Sequence, residues 1–228
     1  MKKSERFARV IAACENEHRR FVDFMYSRYG LDEHPGYCEV RMREMFPSGT
    51  YEHNPLLINL SEDGFTTIPS HLFTTAHESS HFLHDKINSK RFEKTMADKN
   101  YAEYFVDEVI ANLGAFIYLD EQRGGLSQRR IRGFAGKDVK RDKRELVPLI
   151  IAIKDKSILV KIVDKNTHDA IQIIKPFMRE ARLYAKSICD KYIPSKDKEV
   201  DDFSFQGQPY QPHSYEEYGL DNQLEFSF

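Results

Sequence analysis

Over residues 4–28, apolar positions recur at helical spacing. Phe7, Val10, Ile11, Cys14, Phe21, Phe24 and Met25 share one side of an amphipathic helix. Gly30 and then Pro35-Gly36 end it. The period then falls to two. From Tyr37 to Met45, Cys38, Val40 and Met42 alternate with Glu39, Arg41 and Arg43, which predicts a half-buried strand. Pro47-Ser48-Gly49 reads as a turn, Leu56 to Leu60 as a second short strand, and Ser61-Glu62-Asp63-Gly64 as its close. A helix is predicted from Ser70, as N-cap, to Asn88.

A second strong helix is predicted from Tyr101 to Leu119. Its apolar stripe is Ala102, Phe105, Val106, Val109, Leu113, Phe116 and Ile117, and Gly124-Gly125 stops it. Leu146 to Val163 is strongly apolar but interrupted by Lys154-Asp155-Lys156-Ser157. Its periodicity fits a buried helix or a hairpin and does not choose between them. Thr167 to Tyr192 reads as a helix that Pro176 kinks or breaks. Pro194 closes the domain, and residues 195–228 read as an extended or disordered tail, acidic and aromatic. The expected class is α+β: a small N-terminal sheet packed on a helical core. Residues 1–69 form the first helix and sheet, 70–120 the central core, and 121–194 a basic segment with a helical C-terminal part.

Composition narrows the field. The 228 residues are 40% hydrophobic, enough for one substantial core. A formal net charge of -2 favours neither nucleic acid nor membrane as a partner. Cys14, Cys38 and Cys189 are odd in number and far apart, without a Cys-x-x-Cys pair. They support neither a disulfide framework nor a cysteine-ligated metal, and a reducing cytoplasm fits them best. Neither a signal peptide nor an apolar run of membrane-spanning length is legible.

The candidate chemistry lies in Thr75-Ala76-His77-Glu78-Ser79-Ser80-His81-Phe82-Leu83-His84. His-Glu-x-x-His on a helix sets two imidazoles, His77 and His81, on one face, where both reach a single zinc ion. Glu78 stands beside the open coordination position as a general base. A catalytic zinc takes three protein ligands, so a third is required. A histidine six positions after His81 is excluded, since Ile87 stands there. Glu103, Asp107 and Glu108 on the next helix are the candidates. Glu108 shares its face with small residues, Ala111 and Ala115, that permit close helix approach, and Asn112 follows one turn later to hydrogen-bond a ligand. Glu108 is the first choice and Asp107 the second. His84, one turn after His81, reads as a packing residue or a supporting one behind the ligands.

These residues resemble the core of the ImmA/IrrE family of zinc metallopeptidases. The likeness runs from Leu57-Ile58-Asn59 through Phe73-Thr74-Thr75-Ala76-His77-Glu78-Ser79-Ser80-His81 and the trailing Leu83-His84 to Glu108-Val109-Ile110-Ala111-Asn112, spanning roughly residues 55–119. The resemblance implies a zincin-like fold and a gluzincin-type site, with His77, His81 and Glu108 on Zn2+ and Glu78 as base. It also implies an intracellular peptidase of limited, regulatory specificity, acting on a protein substrate such as a repressor. Two departures stand out: Ser80 replaces the usual glycine before the second histidine, and Leu113-Gly114 replaces the usual residues after Ala-Asn. Tyr101, Tyr104 and His168 are unranked candidates to stabilise an oxyanion.

Two further signals are weaker. Residues 123–144 are basic, but Phe134 is their single aromatic, so nucleic-acid binding is not favoured over a solvated surface or a seat for the acidic tail. Gln223-Leu224-Glu225-Phe226-Ser227-Phe228 resembles peptides that dock on sliding clamps, which makes the tail a candidate docking element for a partner protein, but an apolar tail end tucked onto its own domain is the favoured reading. The rival to a peptidase is a non-catalytic regulatory or nucleic-acid-associated protein that retains the zincin fold.

Overall fold

The computed structural model describes residues 3–29, 33–43, 49–62, 68–90, 101–123 and 143–192. Helix α1 (Lys3–Tyr29) follows the predicted periodicity and buries Val10, Cys14, Phe21, Val22 and Met25. Strands β1 (Glu39–Arg43), β2 (Gly49–Glu52) and β3 (Leu57–Ser61) form one sheet in the order β1-β3-β2. Helices α2 (Ile68–Ile87), α3 (Tyr101–Arg123), α4 (Lys143–Lys154), α5 (Ile158–Val163) and α6 (Thr167–Tyr192) follow. The described residues are therefore a helix-dominated α+β assembly. None of their helices is long and apolar enough to cross a membrane.

The sheet register explains how it seats on the helices. β1 pairs parallel with β3, setting Val40 opposite Ile58, and β2 pairs antiparallel with β3, setting Tyr51 opposite the same Ile58. Val40, Ile58 and Tyr51 make one buried row, with Met42, Leu60 and Gly49 in the next. This face packs on α2, where the Tyr51 ring meets Phe82 edge-on at 6.0 Å. The other face carries Glu39, Arg41, Arg43 and Glu52, with Asn59 Nδ2 donating to Glu52 Oε1 at 2.5 Å. Central β3 is buried throughout, as expected of an inner strand. β2 was not legible in the sequence: Gly49, read as the end of a turn, is its first residue, and Tyr51 is its one deeply buried side chain.

The other element boundaries differ in instructive ways. α2 begins at Ile68, two residues before the expected cap, so Ser70 lies inside the first turn. Pro69 is tolerated there because first-turn N–H groups have no intrahelical acceptor. The apolar stretch left open between helix and hairpin forms α4 and α5, turning at Asp155, whose Oδ1 accepts from the Ser157 backbone N–H at 3.0 Å. Pro176 neither ends nor breaks α6, and its exposed position leaves the freed carbonyl one turn earlier open to water. α3 packs against all five other helices and is buried on nearly every side from Phe105 to Tyr118. Glu108 is the one residue of that span that reaches part-way to the surface. The turn at Pro47-Ser48, Asp63-Gly64, the basic segment from 124 to 142 and the tail beyond Tyr192 lie outside the described residues.

His18 ties α1 to both the sheet and α2. Its Nε2 accepts the Cys38 backbone N–H at 3.0 Å, so Nδ1 carries the proton and donates to Ser79 Oγ at 2.8 Å. Ser79 Oγ in turn donates to the Thr75 carbonyl at 2.6 Å. Burial, with Arg19 nearby, lowers the His18 pKa from 6.5 to about 4. The unfolded chain therefore binds this proton near pH 6.5 and the folded chain only near pH 4. The contribution of neutral His18 is complete above about pH 6.5 and is lost as pH falls towards 4, amounting to about 3 kcal/mol. Urea unfolding of metal-free wild type and His18→Gln between pH 7.5 and 4 should show a steeper acid loss in the wild type. Parallel curves would contradict this.

Candidate metal centre

α2 and α3 pack antiparallel, which sets His77 against Asn112, His81 against Glu108, and His84 against Asp107. Their approach is close at Ser80 and Gly114. A Cβ at position 114 would overlap Ser80 Oγ, and that hydroxyl lies 3.3 Å from the Ile110 carbonyl, to which it donates. The two departures noted in the sequence are thus one contact: the hydroxymethyl on α2 occupies space that a side chain on α3 would need. Gly114→Ala should cost about 1–3 kcal/mol by overpacking. Ser80→Gly should recover most of this, and urea unfolding of the two single variants and the double variant measures the coupling.

His77, His81 and Glu108 bring ligand atoms within 4.8 Å of one another, a group that could hold a metal ion. His77 Nε2 and His81 Nε2 are 3.1 Å apart, and the Glu108 oxygens lie 3.7 Å and 3.6 Å from them. Tetrahedral zinc with bonds of about 2.0–2.1 Å separates its ligand atoms by about 3.3 Å. The nitrogen pair is at about that separation, and Glu108 approaches each nitrogen with a different oxygen at a slightly longer distance.

Hydrogen bonding behind the imidazoles shows what they present. Asn112 Nδ2 donates to the Glu108 carbonyl at 3.0 Å, which leaves Asn112 Oδ1 to accept from His77 Nδ1 at 3.1 Å. His81 Nδ1 lies 3.0 Å from the carboxylate Oδ2 of Asp107. His77 Nδ1 thus donates to Asn112 and its Nε2 carries a lone pair, whereas the His81–Asp107 contact is an ion pair without hydrogen-bond alignment. With His81 neutral, two ring nitrogens 3.1 Å apart beside a carboxylate would repel one another, and a proton or a metal cation between them removes the conflict. Burial lowers the His77 pKa to about 4, keeping that imidazole neutral, the form that binds metal. Burial acts the same way on His81, but Asp107 and Glu108 outweigh it and raise its pKa well above 6.5. In the metal-free chain a proton on His81 supplies the positive charge that this group of carboxylates calls for.

Glu78 is buried on the sheet side of α2. Burial raises its pKa to about 8, against the opposing pull of His81 and a hydrogen bond from the Tyr51 backbone. Gly49 permits this approach: a Cβ there would stand 2.5 Å from Thr74 Cγ2 and 3.1 Å from Glu78 Oε1. β2, at the sheet edge among the described residues, thus borders the carboxylate.

The remaining candidates separate cleanly. Asp107, the second choice for a ligand, turns both oxygens away from the triangle, towards the Nδ1 atoms of His81 and His84, the latter at 2.6 Å. Burial alone would raise the pKa of Asp107, but His81 and His84 hold it far below the usual carboxylate range. Glu103 is buried one turn earlier and is not in the ligand group. Of the oxyanion candidates, Tyr104 is exposed one turn before Glu108, and His168 is exposed near the start of α6. The Tyr101 side chain lies outside the described residues.

Sequence reasoning missed a neighbouring cluster. Asp85, one turn beyond His81, accepts from Tyr51 Oη at 2.6 Å and lies 2.7 Å from His53 Nδ1 through the same oxygen. It anchors β2 and the residues after it to α2. The available signal was an aspartate in a helical stretch that is otherwise buried, but its partners depended on a strand not legible in the sequence.

Comparison with protein-family models, with characterised proteins and with solved structures finds no match to this chain.

Proposed function

We propose that this chain is a zinc-dependent metalloendopeptidase of the ImmA/IrrE type, with a zincin-like fold and limited, regulatory specificity towards a protein substrate. The observation that carries the reading is the convergence of His77 Nε2, His81 Nε2 and the Glu108 carboxylate, with the buried Glu78 adjacent to His77 on the same helix. Two imidazole nitrogens and one carboxylate oxygen suit zinc and leave a fourth position open. Bound there, zinc would bring the pKa of a water molecule down to about 7 and polarise a carbonyl oxygen.

The rest is the work of the chain's own residues. Glu78 takes the proton from the attacking water and returns it to the departing amine. In the metal-free chain burial raises the Glu78 pKa above the usual carboxylate range, so the carboxyl can return a proton as well as accept one. Asn112 and Asp107 keep His77 and His81 turned towards the metal. A peptide is the favoured substrate class because β2, an edge strand among the described residues, borders Glu78. An extended chain added to that edge would run past the carboxylate.

The test is incubation of the zinc-loaded chain with an unstructured protein such as casein, with fragments identified by mass spectrometry. Cleavage that a chelator stops and zinc restores supports the reading. A zinc-loaded chain that cuts neither casein nor a broad peptide library counts against peptidase activity and favours a binding protein.

A further inference from the structure

His84 has no place in the ligand triangle, yet its side chain is fully buried. An apolar residue would fill that space without needing a polar partner. The imidazole instead brings Nδ1 to 2.6 Å from Asp107 Oδ1, while Asp107 Oδ2 lies 3.0 Å from His81 Nδ1. One buried carboxylate therefore bridges a ligand histidine and a non-ligand histidine three residues apart on α2.

We propose that His84 is a positioning residue for the metal centre: it holds Asp107 from behind, and Asp107 holds His81 with Nε2 aimed at the metal. The inference rests on the metal reading above. The His81–Asp107 contact is an ion pair without hydrogen-bond alignment, so on its own it leaves the carboxylate free to rotate about its broad terminal torsion, and the ligand ring would follow it. The hydrogen bond to His84 on the other oxygen removes that freedom. The chain His84–Asp107–His81 also crosses between the two helices, so it fixes the register of α2 against α3 at the position where Glu108 completes the site.

The test uses His84→Phe, which fills the space without a donor, His84→Gln, which keeps an N–H, and Asp107→Asn, alone and combined with His84→Phe. Zinc affinity is read by competition with a chromophoric chelator, and ligand geometry by the absorption bands of the cobalt-loaded chain. His84→Phe should weaken zinc binding by about 10- to 100-fold and shift the cobalt bands. His84→Gln should restore most of the affinity. In the Asp107→Asn background, His84→Phe should have no further effect, because its influence passes through Asp107. If His84→Phe does not fold, near-wild-type affinity in His84→Gln with a clear loss in Asp107→Asn supports the proposal, and no loss in Asp107→Asn overturns it. Wild-type affinity in a folded His84→Phe overturns it, as does a full loss added to that of Asp107→Asn, and the metal reading would survive either result. A wild-type chain that binds no zinc removes both.

Discussion

Glu78→Gln is expected to lower peptide-bond cleavage by about 10²- to 10⁴-fold while leaving zinc bound, the usual contribution of a positioned general base. Glutamine keeps the shape and a hydrogen-bond acceptor for the Tyr51 backbone, but it cannot take a proton. It also carries no charge at any pH, so above about pH 8, where Glu78 would ionise, the buried site beside Gly49 is easier to satisfy in the variant. The variant should therefore be at least as stable as the wild type. It should hold uncut substrate long enough to be captured, which makes it the natural trap for an unknown protein partner. Initial rates on casein, with metal content measured on the same samples, check this. Equal rates in the two proteins would transfer function from turnover to binding.

Glu108→Ala is the second large effect. Removing the carboxylate leaves two imidazoles and takes away the anionic ligand. Zinc affinity should fall by more than about 100-fold, beyond what loss of a supporting residue behind the ligands causes. The consequence reaches stability. Zinc at about 1,000 times its dissociation constant stabilises a folded chain by about 4 kcal/mol, and a chelator should remove that gain from the wild type as a drop in Tm. In Glu108→Ala, at the same zinc concentration, the gain that a chelator removes should fall to about 1.4 kcal/mol or less. An undiminished chelator-sensitive Tm in the variant would point to a different third ligand. Binding should also weaken in acid, because His77 and His81 must be unprotonated to coordinate.

The legible parts of this molecule were those in which local pattern and burial agree. α1 and β1 show their periods because each has one face in the core and one in water. The His77/His81 pair is legible for the same reason: four residues apart on a helix is a statement about one face. Glu108 could be preferred over Asp107 because helix angle and small neighbours separate them. Asp107 and Glu108 occupy adjacent positions, and both contact His81, Asp107 at Nδ1 and Glu108 at Nε2. A carboxylate one residue away can still reach the same imidazole by its other nitrogen.

What stayed hidden was set by tertiary partners. α3 is enclosed by five helices, so its pattern carried a stripe where the fold has nearly uniform burial. β2 is four residues with a glycine, formed because β3 offers an edge and Tyr51 finds Asp85. Ser80 and Gly114 looked like two unrelated departures until the helices were brought together. The apolar run from Leu146 to Val163 was ambiguous because Asp155, not periodicity, creates the corner between α4 and α5.

The most direct test of the central claim is the metal content of the purified wild-type chain, measured by plasma mass spectrometry beside Glu108→Ala. The expected result is one zinc per chain in the wild type and little or none in the variant. No zinc in the wild type after zinc has been supplied, or equal zinc in the two proteins, would contradict a centre built from His77, His81 and Glu108.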